Sequence, residues 1–180
     1  MVRIINEYLI SDDLNYYGYI QNYRDELLNL YFKNNNQKKN FDCILDNSDI
    51  NNYLTPKLNA LVEKIFWVGP TLLNFPISFY VQNNQNQNIY LHNHSRNPGT
   101  VQAIFYLDIP KKGGETLFKL EFNGEEQDYI LKPQLNKVYF FPSWIYHTAL
   151  PQQDECYRIS FNWRHGSNQR PIVKGRAIQW

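Results

Sequence analysis

At 180 residues the chain is long enough for one well-filled core, and length alone argues for a single domain. Hydrophobic residues make up 43% of it and aromatic residues 16%, with 14 Tyr and 11 Phe, which excludes a disordered polymer. A formal net charge of +1 excludes a global field that would draw the protein to nucleic acid or to a membrane surface.

The N-terminus, MVRIINEYLISDDLNYY, breaks its apolar residues with Asn, Glu and Asp and does not read as a secretory signal. No stretch approaches the roughly 20 apolar residues of a membrane span. Cys43 and Cys156 are too few and too far apart for a disulfide framework or a zinc knuckle, so they read as unpaired thiols in a reduced, cytoplasmic compartment.

Ser11-Asp12-Asp13 reads as a helix start, followed by a helix with Leu14, Tyr17, Leu27, Leu28 and Tyr31 near helical spacing. The polar run NNNQKKN ends it in a surface loop. A second helix is expected from near Thr55, with Pro56 in the first turn, where proline is tolerated. Both helices are expected to pack against a later sheet, so residues 1–72 read as a helical support.

From about Leu73 the pattern changes to short runs rich in aromatic and β-branched residues, separated by polar or Gly/Pro punctuation, the pattern of a sandwich or barrel. The expected strands are Ile77 to Gln82, Asn88 to His94, Val101 to Leu107, Glu115 to Glu121, Asp128 to Leu131, Lys137 to Phe141 and Tyr157 to Trp163. NNQNQN is a polar loop between the first two. Lys111-Lys112-Gly113-Gly114 and Asn123-Gly124 read as hairpin-type turns. Residues 164–180 carry Arg164, Arg170, Lys174 and Arg176 and no acid, a basic extension that reads as a solvated tail or a patch for an anionic partner.

On a strand from Asn88 to His94, side-chain alternation puts His92 and His94 on one face. Side chains at i and i+2 are rooted roughly 7 Å apart, and two imidazoles converge across that span on one ion with bonds of about 2.1 Å. A third ligand has to come from elsewhere. His147 is the plausible histidine, because His165 follows the last strand and reads as peripheral. The competing reading is two surface histidines. On the last strand Arg158, Ser160 and Asn162 share a face, and a planar guanidinium with a neighbouring hydroxyl suits a carboxylate; the competing reading is a cross-strand ion pair.

The order of these features resembles the iron(II)- and 2-oxoglutarate-dependent oxygenases, in particular the prolyl-hydroxylase-like branch. The resemblance is carried by Tyr90-Leu91-His92-Asn93-His94, Ile104-Phe105-Tyr106-Leu107-Asp108, Gly113-Gly114-Glu115-Thr116-Leu117-Phe118, Lys132-Pro133 leading to Val138-Tyr139-Phe140-Phe141-Pro142-Ser143-Trp144, His147, and Arg158-Ile159-Ser160-Phe161-Asn162-Trp163. The segments around Pro142-Ser143-Trp144 and Arg158-Ile159-Ser160 are similar to a small subgroup of such oxygenases from bacteria and phages. The resemblance spans roughly residues 76 to 163.

It implies a mainly β chain with N-terminal helices, its core at residues 73–163 being a double-stranded β-helix, a cupin-like jelly roll with the metal in its mouth. It implies Fe(II) as cofactor and 2-oxoglutarate as cosubstrate, with oxidative decarboxylation coupled to hydroxylation of a small-molecule or peptide substrate. By position His92 and His147 would be iron ligands, and Arg158 would pair with the distal carboxylate of 2-oxoglutarate. Tyr106 and Ser160 would donate to the cosubstrate, and Thr116 and Ile104 would line its pocket. The implied setting is the cytoplasm of a bacterium or of a phage-infected host.

One position departs from the family pattern. Most of the superfamily has a carboxylate two residues after the first histidine, completing a two-histidine, one-carboxylate triad; here it is His94. Three answers follow: all three histidines ligate, which the strand geometry favours; an acid such as Asp108 or Glu115 substitutes; or His94 contacts substrate and leaves a water in the third position. Two other functions fit the same residues, a cupin-like three-histidine dioxygenase that needs no 2-oxoglutarate, and a non-catalytic metal-binding β-barrel module.

Overall fold

The computed structural model describes residues 3–4, 9–13, 17–34, 40–44, 49–65, 73–74, 78–82, 90–94, 101–153 and 158–166, with side chains throughout 49–63, 90–94, 101–121 and 123–153 and at a smaller set of positions elsewhere. In chain order the elements are β1 (Arg3–Ile4), β2 (Ile10–Asp13), α1 (Tyr17–Gln21), α2 (Arg24–Asn34), β3 (Asn40–Ile44), α3 (Asp49–Ile65), β4 (Leu73–Asn74), β5 (Ser78–Gln82), β6 (Val101–Asp108), β7 (Thr116–Phe122), β8 (Glu125–Leu131), β9 (Lys137–Pro142), β10 (His147–Ala149) and β11 (Arg158–Gly166). These strands form two antiparallel sheets. The larger runs β1-β2-β9-β6-β11-β5-β3, with β4 also paired to β11, and the smaller runs β10-β7-β8.

The sheets meet through aromatic side chains. Phe141 of β9 lies 4.9 Å, ring to ring, from both Phe118 of β7 and His147 of β10. Every residue of β6 from Val101 to Leu107 is buried, on both faces. Such a strand reads as a continuous apolar run rather than an alternating one. One face of β6 looks at the smaller sheet and the other at the helices.

The N-terminal region supplies strands as well as helices. Ser11-Asp12-Asp13 is no helix start: it lies in β2, paired with Tyr139, Val138 and Lys137 of β9. The Lys137 ammonium bonds the Asp13 carboxylate and holds it at about 2, below the ordinary aspartate range. The helix expected after it is divided into α1 and α2 by a turn at Asn22-Tyr23. The second helix begins at Asp49, six residues before Thr55, with Pro56 in its interior. Its buried stripe explains why: Ile50, Leu54, Leu58 and Val62 recur every four residues and are fully buried. Each contributes roughly 1.5–3 kcal/mol on burial, enough to offset a main-chain bond lost at an exposed proline.

Six of the seven expected strands appear within a few residues of their expected bounds. The exception is Asn88 to His94, where the described part, 90–94, holds a single bridge from His92 to His147. β1, β2, β3, β4 and β10 were not expected; they are short or polar, and long-range pairing rather than local pattern makes them strands. Asn123-Gly124 is the two-residue hairpin, both residues with positive φ, joining β7 to β8. The Lys111–Gly114 turn is no hairpin, since it carries the chain from β6 in one sheet to β7 in the other. There Gly113 has φ +74, and a Cβ on it would lie 2.4 Å from the Pro151 carbonyl oxygen.

On β11 one register step spans two on β6: Ile159 faces Asp108 while Ser160 faces Tyr106, a bulge that leaves Leu107 over. His165 is not peripheral; it is fully buried on β11, with Glu63 Oε1 of α3 3.9 Å away. Residues 35–39, the NNQNQN loop, Cys156 and 167–180 lie outside the described residues.

Two outcomes follow for stability. Gly113→Ala combines a left-handed backbone with a clash against backbone and should cost on the order of 2–3 kcal/mol, read as a lower melting temperature. Burial pushes the His165 imidazole below its ordinary range, partly opposed by Glu63. The unfolded chain therefore binds the proton more tightly, and stability must fall as pH drops through about 6.5. His165→Gln should flatten that part of the curve of melting temperature against pH.

Candidate metal centre

His92 and His147 face each other as a hydrogen-bonded antiparallel pair: the His92 N–H donates to the His147 carbonyl at 3.1 Å and the His147 N–H to the His92 carbonyl at 2.8 Å. The His94 N–H donates to the Ser143 carbonyl at 2.7 Å, tying its segment to the turn after β9. These bonds gather three imidazoles, with ring centroids 4.5 Å apart for His92 and His147 and 5.1 Å from each to His94. One ligand atom from each lies within 4.8 Å of the others, close to the span that bonds of about 2.1 Å to a single ion require. His147 is buried and His92 the most open of the three.

The tautomers follow from the partners. His92 Nδ1 is 2.8 Å from the Tyr90 carbonyl oxygen and His147 Nδ1 is 3.0 Å from that of Ile145. A carbonyl only accepts, so each Nδ1 carries the hydrogen, and a neutral ring then has its lone pair on Nε2. This is the outer support that orients metal-binding histidines. Two of the three rings are thus held as acceptors by the backbone alone.

Around the triad the walls are apolar and aromatic. Phe141 and Phe118 lie 4.9 and 5.9 Å from the His147 ring. Further along the same face of β6, the buried Tyr106 hydroxyl shares a 2.8 Å hydrogen bond with Thr116 Oγ1 of β7. Tyr139 lies 6.3 Å from Tyr106, ring to ring. Burial, reinforced by the Tyr106 and Tyr129 phenols, pushes Tyr139 well above the ordinary tyrosine range, so it keeps its proton. Ile104 is buried between the triad end and Tyr106, paired with Tyr139. Tyr90, two residues before His92, is 92% exposed, and Leu91 and Tyr146, next to His92 and His147 in sequence, are exposed as well.

The expected site residues therefore divide. His92, His94 and His147 come together, as do Tyr106 and Thr116. Ser160 is at the register position opposite Tyr106, and Arg158 is two residues before it on β11; the side chains of both lie outside the described residues. Asp108 does not replace the missing carboxylate: its Oδ2 accepts from Arg24 Nε at 3.0 Å and Nη2 at 2.7 Å, and its Oδ1 from the Ile109 N–H. Among the described residues the metal-binding group holds no acid. Sequence reasoning missed Ser143 and the Tyr90 and Ile145 carbonyls, which act through backbone atoms and leave no residue-type signal.

No family model and no curated protein matches the chain by sequence. The fold is nevertheless that of solved prolyl hydroxylases, as the sequence resemblance implied. A prolyl-4-hydroxylase from Pseudomonas putida superposes with a TM-score of 0.65 at 15% identity, over 89% of this chain and 94% of that one. A prolyl hydroxylase from Trichoplax adhaerens, in complex with a hypoxia inducible factor oxygen degradation domain peptide fragment, gives 0.66 at 12% identity, over 91% and 84%. HygX from Streptomyces hygroscopicus, with nickel and 2-oxoglutarate bound, gives 0.63 at 14% identity, over 88% and 82%.

Removing the buried imidazole of the cluster should uncouple metal binding from folding. His147→Ala is expected to weaken nickel(II) binding by at least about 100-fold in a calorimetric titration, because losing a ligand costs more than losing its outer support. Circular dichroism should remain that of the parent.

Proposed function

We propose that the chain is a non-haem iron(II) dioxygenase that couples oxidative decarboxylation of 2-oxoglutarate to hydroxylation of a small-molecule or peptide substrate, on a double-stranded β-helix core at residues 73–163. The observation that carries this is the pair of backbone carbonyls that hold His92 and His147 with Nε2 as acceptor, in a cluster that includes His94. Imidazole suits iron, and a carbonyl-supported histidine is a stronger donor, so the residues present fit the ion. The fold shared with prolyl hydroxylases supports the same reading.

On this reading one ring nitrogen of each of the three histidines would hold the ion, and iron with 2-oxoglutarate would supply the oxidising chemistry. The protein's own residues do the rest. Arg158 pairs with the distal carboxylate of 2-oxoglutarate, with Tyr106 and Ser160 as further donors. Thr116 orients the Tyr106 hydroxyl by their 2.8 Å bond, and Ile104 forms the wall between. Phe118 and Phe141 exclude water at the buried side of His147, which strengthens charge interactions there. Substrate approaches past the exposed Tyr90. Among the described residues no helix is long and apolar enough to cross a membrane.

With three neutral ligands and no acid, the ion keeps its full double charge, which favours an anionic bidentate cosubstrate. The same lack of a carboxylate supports a second reading, a three-histidine dioxygenase that binds its substrate directly. The two separate in one experiment. Anaerobic addition of 2-oxoglutarate to the iron-loaded protein is expected to produce a visible charge-transfer band, and oxygen should then yield succinate. If no band forms and His92→Ala binds iron as well as the parent, the proposal fails. Oxygen uptake on a substrate without 2-oxoglutarate supports the second reading, and no metal and no turnover indicate a binding module. Tyr106→Phe is expected to raise the Kd for 2-oxoglutarate about tenfold or more, the worth of roughly one hydrogen bond to a charged group.

A further inference from the structure

Gln102 is the polar interruption of β6. It is 4% exposed, and its Nε2 has no hydrogen-bond partner among the described residues. A buried amide left unpaired costs about 1–3 kcal/mol, so a group of this kind in a well-packed strand calls for a partner.

Its position says where that partner lies. Side chains alternate along β6, so Gln102 shares a face with Ile104 and Tyr106. That face looks at the smaller sheet, because Tyr106 bonds Thr116 of β7. Across the sheet Gln102 is paired with Phe141, whose ring lies 4.9 Å from His147. The neighbouring pair is Val101 and Pro142, and the next residue, Ser143, holds the His94 backbone. Along one face of β6, then, Gln102 sits at the triad end of the pocket and Tyr106 at the other, with Ile104 between.

We infer that Gln102 is a ligand-recognising residue of this pocket: its side-chain amide donates to a carboxylate oxygen of 2-oxoglutarate bound beside the histidine triad. This rests on the oxygenase reading and deepens it, adding a donor at the triad end to those at Tyr106. The chemistry follows from the amide itself. A neutral N–H donor adds no charge that would compete with the ion, yet it rewards an anionic acceptor more than a neutral one. An apolar residue of similar volume there would spare the ligand-free protein an unpaired group and deprive the bound anion of a partner.

The test uses the full chain loaded with nickel(II), which holds the site without turnover, and titrates 2-oxoglutarate by calorimetry. In Gln102→Met, which keeps the volume and the unbranched shape, the Kd for 2-oxoglutarate should rise on the order of tenfold or more. Nickel affinity should stay that of the parent, and the melting temperature of the ligand-free, metal-free protein should be equal or higher. Gln102→Glu should weaken 2-oxoglutarate further, since it adds a like charge, while still binding nickel. An unchanged Kd in Gln102→Met overturns the inference and leaves the oxygenase reading standing. A fall of several degrees in the metal-free melting temperature overturns it too, because the amide then serves the fold. If the nickel-loaded parent itself fails to bind 2-oxoglutarate, the oxygenase reading falls and this inference with it.

Discussion

Two reciprocal main-chain hydrogen bonds between His92 and His147 are the constraint on which the site depends. They join a segment that is otherwise not a strand to the edge of the three-stranded sheet, and in doing so set two imidazoles side by side. In such a pair side chains project to the same face. Everything else refines this placement. Ser143 fixes the next turn of the segment so that His94 closes the triangle, and the Tyr90 and Ile145 carbonyls choose which nitrogen of each ring is free. The arrangement is a backbone product, and the side chains contribute their lone pairs to a position already made.

The aromatic walls give that position its character. Phe118 and Phe141 pack on His147 from two sheets, so the deepest imidazole is covered by rings on that side and has little room to turn. A ring held this way loses little entropy on binding an ion, which is how a rigid shell raises affinity. Tyr106, Tyr139 and Thr116 extend the pocket with hydroxyls rather than charges. Among the described side chains the lining offers hydroxyls and apolar rings.

Much of this was legible in the sequence where residue type carries the message. His92, His94 and His147 stand out as histidines in a chain that has only four, and Tyr106 and Thr116 followed from the resemblance that the order of motifs carried. The aromatic and β-branched runs gave β5, β6, β7, β9 and β11 close to their true bounds. What was hidden depends on partners distant in sequence. β2 is polar and became a strand because β9 lies beside it. The start of α3 was misplaced because Pro56 is a strong local signal, while the stripe Ile50, Leu54, Leu58 and Val62 that overrides it acts only once a core exists to receive it. His165 was set aside as peripheral because position along the chain says nothing about what a neighbouring helix covers.

The bulge at Leu107 has a bearing on the electrical character of the pocket. With unbroken alternation Asp108 would share the inward face of Tyr106, and a carboxylate would stand inside the cavity. The extra residue turns the strand by half a pleat, so Asp108 comes to lie opposite Ile159 and meets Arg24 of α2. One surplus leucine thereby turns that carboxylate to the helical side. The same device that braces α2 against the sheet keeps that carboxylate off the face of β6 that carries Tyr106, so that a single inserted residue shapes both faces of the strand at once.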